Sequence, residues 1–298
     1  MNDFLRIGLI QPVIDPDTYW NHDSIPKSHH LNIHPIFAER VWQEIQQGLK
    51  LFLADENRPD MILIPELHLP VARINELKRI SKHHNIIIIA GVDFQTNPND
   101  PGKIRNRGIL IFPNSFERNK PSTRVTTLHF GKTYFTYMEK SMFRDIDGQA
   151  YTEDREKNMY IFRTQQFGDF GIMICSDIFD IERMILYQSR IHHLFVISLN
   201  KDLNTYFAMA ESLTRLIYCN VVICNTGHFG GSLAFSPYNE ANERTIYKYY
   251  GQKSFTMHQV KLPVRELDAA QKRDFSVPNA DRKFKASPPG YYDRNDLA

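Results

Sequence analysis

The sequence is short of cysteine. Three are present in 298 residues, Cys175, Cys219 and Cys224, too few for a disulfide framework and at spacings that fit neither a zinc knuckle nor a CxxC redox pair. Reduced thiols are expected. Long apolar runs are also missing: none approaches the roughly 18 residues that a membrane-spanning helix needs. Met1 to Ile7 lack the basic segment, apolar core and small-residue cleavage site of a signal peptide, so a cytoplasmic, membrane-free protein is expected. Charge of one sign is not in excess. The 36 basic and 34 acidic residues leave a formal charge of +2 and are spread along the chain, which argues against nucleic acid as a partner. No metal or cofactor is expected. His29-His30 has no carboxylate or cysteine at ligand spacing, and Gly227-His228-Phe229-Gly230-Gly231-Ser232 lacks the lysine and spacing of a phosphate loop. A small molecule is the expected partner.

What is present is an alternation of apolar strands and amphipathic helices. Strands are expected at Arg6 to Gln11, Met61 to Ile64, Ile86 to Val92, Gly108 to Phe112, Val125 to Phe130, Phe170 to Ile174, Leu194 to Leu199, Val221 to Asn225 and Phe255 to Leu262. Between them, Phe37, Val41, Trp42, Ile45, Leu49 and Phe52 fall on one helical face. Further helices are expected over Val71 to His83, Ile181 to His192 and Tyr206 to Cys219. Val13 to His34, rich in Asp, Pro, His, Asn and Ser without a period, reads as a long loop, and the residues after Leu262 read as an extended tail. Near-continuous apolar strands interleaved with such helices indicate an α/β protein whose sheet is covered on at least one face.

Three residues with chemical potential stand beside strand-like segments. Cys175 ends the run Phe170 to Ile174, where open α/β sheets place their chemistry. Glu66 follows Met61 to Ile64, and Lys140 lies in Gly131 to Phe143, a weakly periodic segment rich in aromatics. Each has an ordinary explanation, as core filler, helix cap and surface cation respectively. Taken in order with their surroundings, they resemble the nitrilase superfamily of carbon-nitrogen hydrolases. The likeness runs through Arg6-Ile7-Gly8-Leu9-Ile10-Gln11, Ile64-Pro65-Glu66, Asn106-Arg107-Gly108, Lys140-Ser141-Met142-Phe143, Ile174-Cys175-Ser176-Asp177, Arg215, Asn225-Thr226-Gly227 and Gly231-Ser232.

That resemblance implies a four-layer α-β-β-α sandwich. It implies a hydrolase domain over residues 1–263, an extension over 264–298 that packs on the domain or on a subunit neighbour, and a homodimer or larger homo-oligomer. The implied activity is hydrolysis of a non-peptide C–N bond in a small amide, carbamoyl or nitrile substrate, with amidase or carbamoylase chemistry ahead of nitrile hydrolysis. Cys175 would be the nucleophile, Glu66 the general base and Lys140 the cation that favours the thiolate. Lys140 and the backbone N–H of Ser176 would stabilise the developing anion. Glu153 would be a second glutamate orienting the lysine, while Cys219 and Cys224 would only pack. The chain departs from the pattern after Cys175, where Ser176 and Ile178-Phe179-Asp180-Ile181-Glu182 replace an aromatic residue and an Arg-Phe-Pro-Glu-like segment. A catalytically silent scaffold of the same fold is the alternative that this departure raises.

Overall fold

The computed structural model describes residues 1–20, 31–115, 120–143, 151–272 and 280–291. His29-His30 and the middle of the Val13 to His34 stretch lie outside the described residues, as do Asp145 and Asp147, acidic residues in the polar stretch that leads to Glu153. Two sheets form the body. In the first, β1 (Phe4–Gln11), β2 (Met61–Leu69), β3 (Ile87–Asn97), β4 (Asp100–Pro113) and β5 (Val125–Gly131) lie side by side, with β13 (Thr256–Pro263) flanking β1 and the short β6 (Thr152–Glu153) beside β4. The second sheet runs in the order β12 (Thr245–Lys248), β11 (Leu233–Phe235), β10 (Asn220–Asn225), β9 (His193–Ser198), β8 (Phe170–Ile174), β7 (Ile161–Phe162).

Strand periodicity explains the layering. Successive side chains of a strand point to opposite faces, and both faces of β2 are buried. Met61 and Leu63 join Ile7, Leu9, Ile87 and Ile89 in a core shared with Phe195, Val221 and Ile223 of the second sheet. Ile62 and Ile64 join Ile88 and Ala90 in a separate core under α2 (Pro35–Ala54) and α3 (Ile74–His84), with Val41, Trp42, Ile45, Leu49 and Leu77 facing them. On the far side, α5 (Ile181–Tyr187) and α6 (Leu203–Leu216) cover the second sheet through Met184, Tyr187, Tyr206, Phe207, Ala210 and Leu213. The result is the expected four-layer α-β-β-α sandwich.

Several boundaries move, for local reasons. The loop after β1 contains α1 (Pro16–Tyr19), started by proline at its amino end and by the Asp15 carboxylate accepting from Asp17 N–H. The helix expected over Ile181 to His192 stops at Tyr187, because the chain turns through Ser189 with φ 60°. A short α7 (Ala241–Arg244) precedes β12, and after β13 the tail is helical rather than extended in α8 (Arg265–Lys272) and α9 (Ala280–Lys283). Gln271 of α8 donates to the Ile191 and Tyr218 carbonyls at 3.1 and 2.6 Å, and Asp268 accepts from His192 at 2.8 Å. The buried Gln271 amide and His192 ring, partnered in this way, fasten the segment to the second sheet.

Candidate active site

The carboxyl ends of β2 and β8 bring the site together. β2 does not stop at Pro65: its pairing with β3 shifts between Ile64 and Leu69, and Leu67 takes φ 61°. Such a bulge re-aims a side chain next to functional sites. Gly91 permits it, since a Cβ there would lie 2.3 Å from the Glu66 Cα. His68 buttresses the turn, its Nδ1 2.6 Å from the Glu66 carbonyl and its Nε2 3.0 Å from Thr226 Oγ1. Burial lowers the His68 pKa to about 4, so the ring is neutral. Across the cavity, Cys175 leaves β8 with φ 47°, a conformation that costs a non-glycine residue about 1–3 kcal/mol and clusters at active sites.

Glu66 is 2% exposed. Its Oε1 accepts from Lys132 Nζ at 2.8 Å and Asn106 Nδ2 at 2.7 Å, and its Oε2 from Leu199 N–H at 2.9 Å. Lys132 Nζ also donates to Glu139 Oε2 at 2.5 Å, and Asn106 Nδ2 to Glu139 Oε1 at 2.6 Å. Two carboxylates, one ammonium and one amide thus form a closed buried network. Lys132 follows directly on β5, its backbone N–H bonded to the Asn106 carbonyl at 2.9 Å. Glu139 sits in the first turn of α4 (Tyr137–Phe143) and accepts from the Thr136 N–H while its own N–H donates to Thr136 Oγ1. This reciprocal pair is a capping box, legible in the spacing Thr136-Tyr137-Met138-Glu139.

Of the residues singled out from the sequence, Glu66 and Cys175 line one cavity with Ser176. Lys140 and Glu153 do not line it. Lys140 lies on α4 with its side chain 41% exposed and its Nζ 3.1 Å from Glu153, which also pairs with Arg155. The lysine beside Glu66 is Lys132, and the second buried glutamate is Glu139. The physical reason is that Gly131 to Phe143 is not one segment. It is a strand end, a turn and a short helix, and the strand end points inward while Lys140 faces solvent. A strand-end criterion applied to Lys132 as it was to Glu66 would have found it.

Electrostatics follow from burial. Burial raises the Glu66 pKa, against the opposing pull of Lys132 and Asn106, and the Glu139 charge adds to the rise. Burial opposes the Lys132 charge, but Glu66, Cys175 and Glu139 outweigh it and hold the ammonium well above its ordinary range. The Cys175 thiol is pushed up to about 12 by burial and by the Glu66 charge, Lys132 opposing. The turns carrying Lys132 and Cys175 are tied by Asp177, whose carboxylate accepts from the Thr133 and Tyr134 N–H groups at 3.1 and 2.9 Å and pairs with Arg183 at 3.3 Å. Ser176 Oγ donates to the Tyr134 carbonyl at 2.6 Å. On the opposite wall Asn225 accepts from Asn200 N–H and donates to the Asn200 and Gly230 carbonyls. The glycine-rich turn is therefore part of the scaffold that holds the Asn200 loop. Among the described residues no group of three His, Cys, Asp or Glu could hold a metal, and no helix is long and apolar enough to cross a membrane.

The sequence matches no protein-family model and no curated protein. Its likeness lies in three dimensions. Nit3 from Saccharomyces cerevisiae, a member of branch 10 of the nitrilase superfamily, aligns with a TM-score of 0.61 at 13% identity, covering 93% of this chain and 97% of its own. XC1258 from Xanthomonas campestris, a CN-hydrolase superfamily protein with an arsenic adduct in its active site, gives 0.57 at 10% identity over 96% and 99%. An amidase from Nesterenkonia sp. gives 0.54 at 14% identity over 88% and 92%, and a mutant of it holds acrylamide added at the active-site cysteine. Across this set the shared property is architecture, and the fold of this chain is that of the nitrilase superfamily.

Proposed function

We propose that the protein is a cysteine hydrolase acting on a C–N bond other than a peptide bond in a small molecule, as an amidase or carbamoylase. Cys175 is the nucleophile, Glu66 the general base, Lys132 the cation of the site and Glu139 the second glutamate that orients it. One observation carries the reading: Glu66, Lys132, Glu139 and Cys175 all line a single cavity of about 230 Å³. That volume is below the roughly 300–1,000 Å³ of pockets for drug-sized ligands, which favours a small substrate. Leu67, Met138, Met142, Phe179 and Phe229 give it apolar walls.

The reaction follows from the groups present. A thiol held at about 12 is neutral near pH 7, so its proton must leave as the sulfur attacks. Glu66, with its pKa raised towards the working range, is suited to take it. As the S–C bond forms, the carbonyl π pair moves to oxygen, and Lys132 with the Ser176 N–H stabilises that oxyanion. Collapse breaks the C–N bond, Glu66 returns the proton to the departing amine, and a thioester remains. Glu66 then deprotonates water for attack on the thioester, and the thiol is restored. For the homo-oligomer that the resemblance implies, α5 offers a surface in exposed Ile181, Ile185 and Leu186.

The test is Cys175→Ala across a panel of small amides, N-carbamoyl compounds and nitriles. Turnover is expected to vanish together with the acyl adduct detected by mass spectrometry on the wild-type protein. Persisting turnover in Cys175→Ala rejects the reading, and a wild-type Cys175 inert to every substrate and electrophile favours the silent scaffold instead.

A further inference from the structure

Cys175 Sγ has a side-chain hydrogen-bond partner that belongs to none of the roles assigned above. Tyr206 Oη lies 3.2 Å from it. Tyr206 stands in the first turn of α6, 5% exposed, and Phe179 crosses its ring edge-on at 5.6 Å and 83°. Phe179 belongs to the Ser176 to Glu182 stretch in which this chain leaves the pattern it otherwise resembles. The divergent stretch thus supplies a side chain that packs against the tyrosine ring.

Either group can donate while the thiol is neutral, but a thiolate can only accept, so in that state the bond runs from Tyr206 O–H to Sγ. Burial and the neighbouring Cys175 raise the Tyr206 pKa far above its ordinary value, so the hydroxyl keeps its proton. Two of the three Lys132 N–H donors are bonded to Glu66 at 2.8 Å and Glu139 at 2.5 Å, and the third is the one proposed above for the oxyanion, which leaves none for the sulfur. We infer that Tyr206 is a further catalytic residue, the donor that stabilises the Cys175 thiolate; this rests on the reading of Cys175 as nucleophile. In the acylation step the thiol proton passes to a Glu66 oxygen, the sulfur electron pair forms the S–C bond and the carbonyl π pair moves to oxygen. Tyr206 transfers no proton. Its bond strengthens as negative charge gathers on sulfur, since hydrogen bonds to ionised acceptors are roughly twice as strong as neutral ones.

The experiment is site-resolved alkylation of the full-length protein by iodoacetamide over a neutral to strongly alkaline pH series. Peptide mass spectrometry scores Cys175 apart from Cys219 and Cys224. In Tyr206→Phe the midpoint for Cys175 is expected to rise by about one unit, which is about tenfold less thiolate at a fixed pH below it. kcat/KM for propionamide should fall about tenfold, with the melting temperature unchanged. Incorporation of 3,5-difluorotyrosine at position 206 keeps the ring and the hydroxyl while making it a stronger donor, so the midpoint should move below that of the wild type. This second variant decides the matter if Tyr206→Phe does not fold. A midpoint that neither change moves overturns the inference and leaves the hydrolase reading standing. Midpoints that move as expected in a protein hydrolysing no substrate support the thiolate donor and overturn the hydrolase. A wild-type Cys175 that resists alkylation at every pH overturns both.

Discussion

Two lysine-glutamate clusters arise from the same stretch of chain and share little beyond composition. Lys132 is buried between Glu66 and Glu139, 1% exposed, whereas Lys140 meets Glu153 with its side chain 41% exposed, and Arg155 competes for the same carboxylate. Solvent sets the difference. Ions near the surface attract each other through a high effective dielectric, and such pairs are worth about 0–1 kcal/mol. Ions removed from water each carry a desolvation cost of several kcal/mol, offset only while every partner is in place. The buried cluster is therefore brittle and chemically potent, and the exposed one is neither.

Replacing Lys132 should give the largest effect. Lys132→Met leaves two carboxylates buried without their cation, which costs about 3–5 kcal/mol at neutral pH, and on the proposed mechanism kcat should fall at least about 10²–10³-fold through loss of an oxyanion donor alone. The pH dependence has a definite sign. With Lys132 gone, the Glu66 pKa in the folded state rises further above its unfolded value of 4.5. The deficit relative to wild type should then be full near neutrality and shrink as pH falls through that folded value, where Glu66 takes up its proton. Denaturant titrations of both proteins from pH 7 downwards measure it. A deficit that grows in acid would contradict the buried pair.

Glu139→Gln is intermediate. The amide keeps an oxygen for Lys132 and the Thr136 N–H but not the charge, so Lys132 is held less firmly and its position relaxes. Misplacement by about 1 Å typically costs about 10²-fold in rate. The loss should appear in kcat rather than KM, because Glu139 makes its hydrogen bonds to Lys132, Asn106 and Thr136. A change confined to KM would mean that Glu139 binds substrate directly.

How much of this was legible in the sequence depended on whether the determinant was local. The apolar runs that became β2, β8, β9 and β10 stand out because they are buried on both faces. Glu66 and Cys175, which line the cavity, stand out in the sequence because each follows such a run. Lys132 and Lys140 share a segment, and what separates them is non-local. The pairing of Arg107 with Gly131 sets Lys132 beside Asn106, and hence beside Glu66. Glu139 did carry a local signal in its capping box. Tyr206 carried none, since its contact with Cys175 depends on how α6 docks on the second sheet. The α8 helix was hidden for a similar reason. Its hold on the body runs through Gln271 and Asp268, polar residues that an apolar period does not register.

The smallest effect is the one that tests the contrast from its other side. Lys140→Ala and Glu153→Gln should each leave kcat and KM unchanged, because neither side chain lines the cavity. The Glu153 carboxyl is held down to about 2, first by its bond to Arg155 and then, against slight burial, by Lys140. A folded pKa below the ordinary value means stability that is present above about 4.5 and lost as pH falls towards about 2. Glu153 is half-buried, but its partners Lys140 and Arg155 have side chains 41% and 48% exposed, so solvent and salt screen that contribution to about 1 kcal/mol at most. Melting curves of Glu153→Gln and wild type should differ slightly near neutral pH at low salt and converge both in acid and at high salt. A loss of turnover in Lys140→Ala comparable to that of Lys132→Met would reverse the contrast, because it would place the working cation in the water-exposed pair.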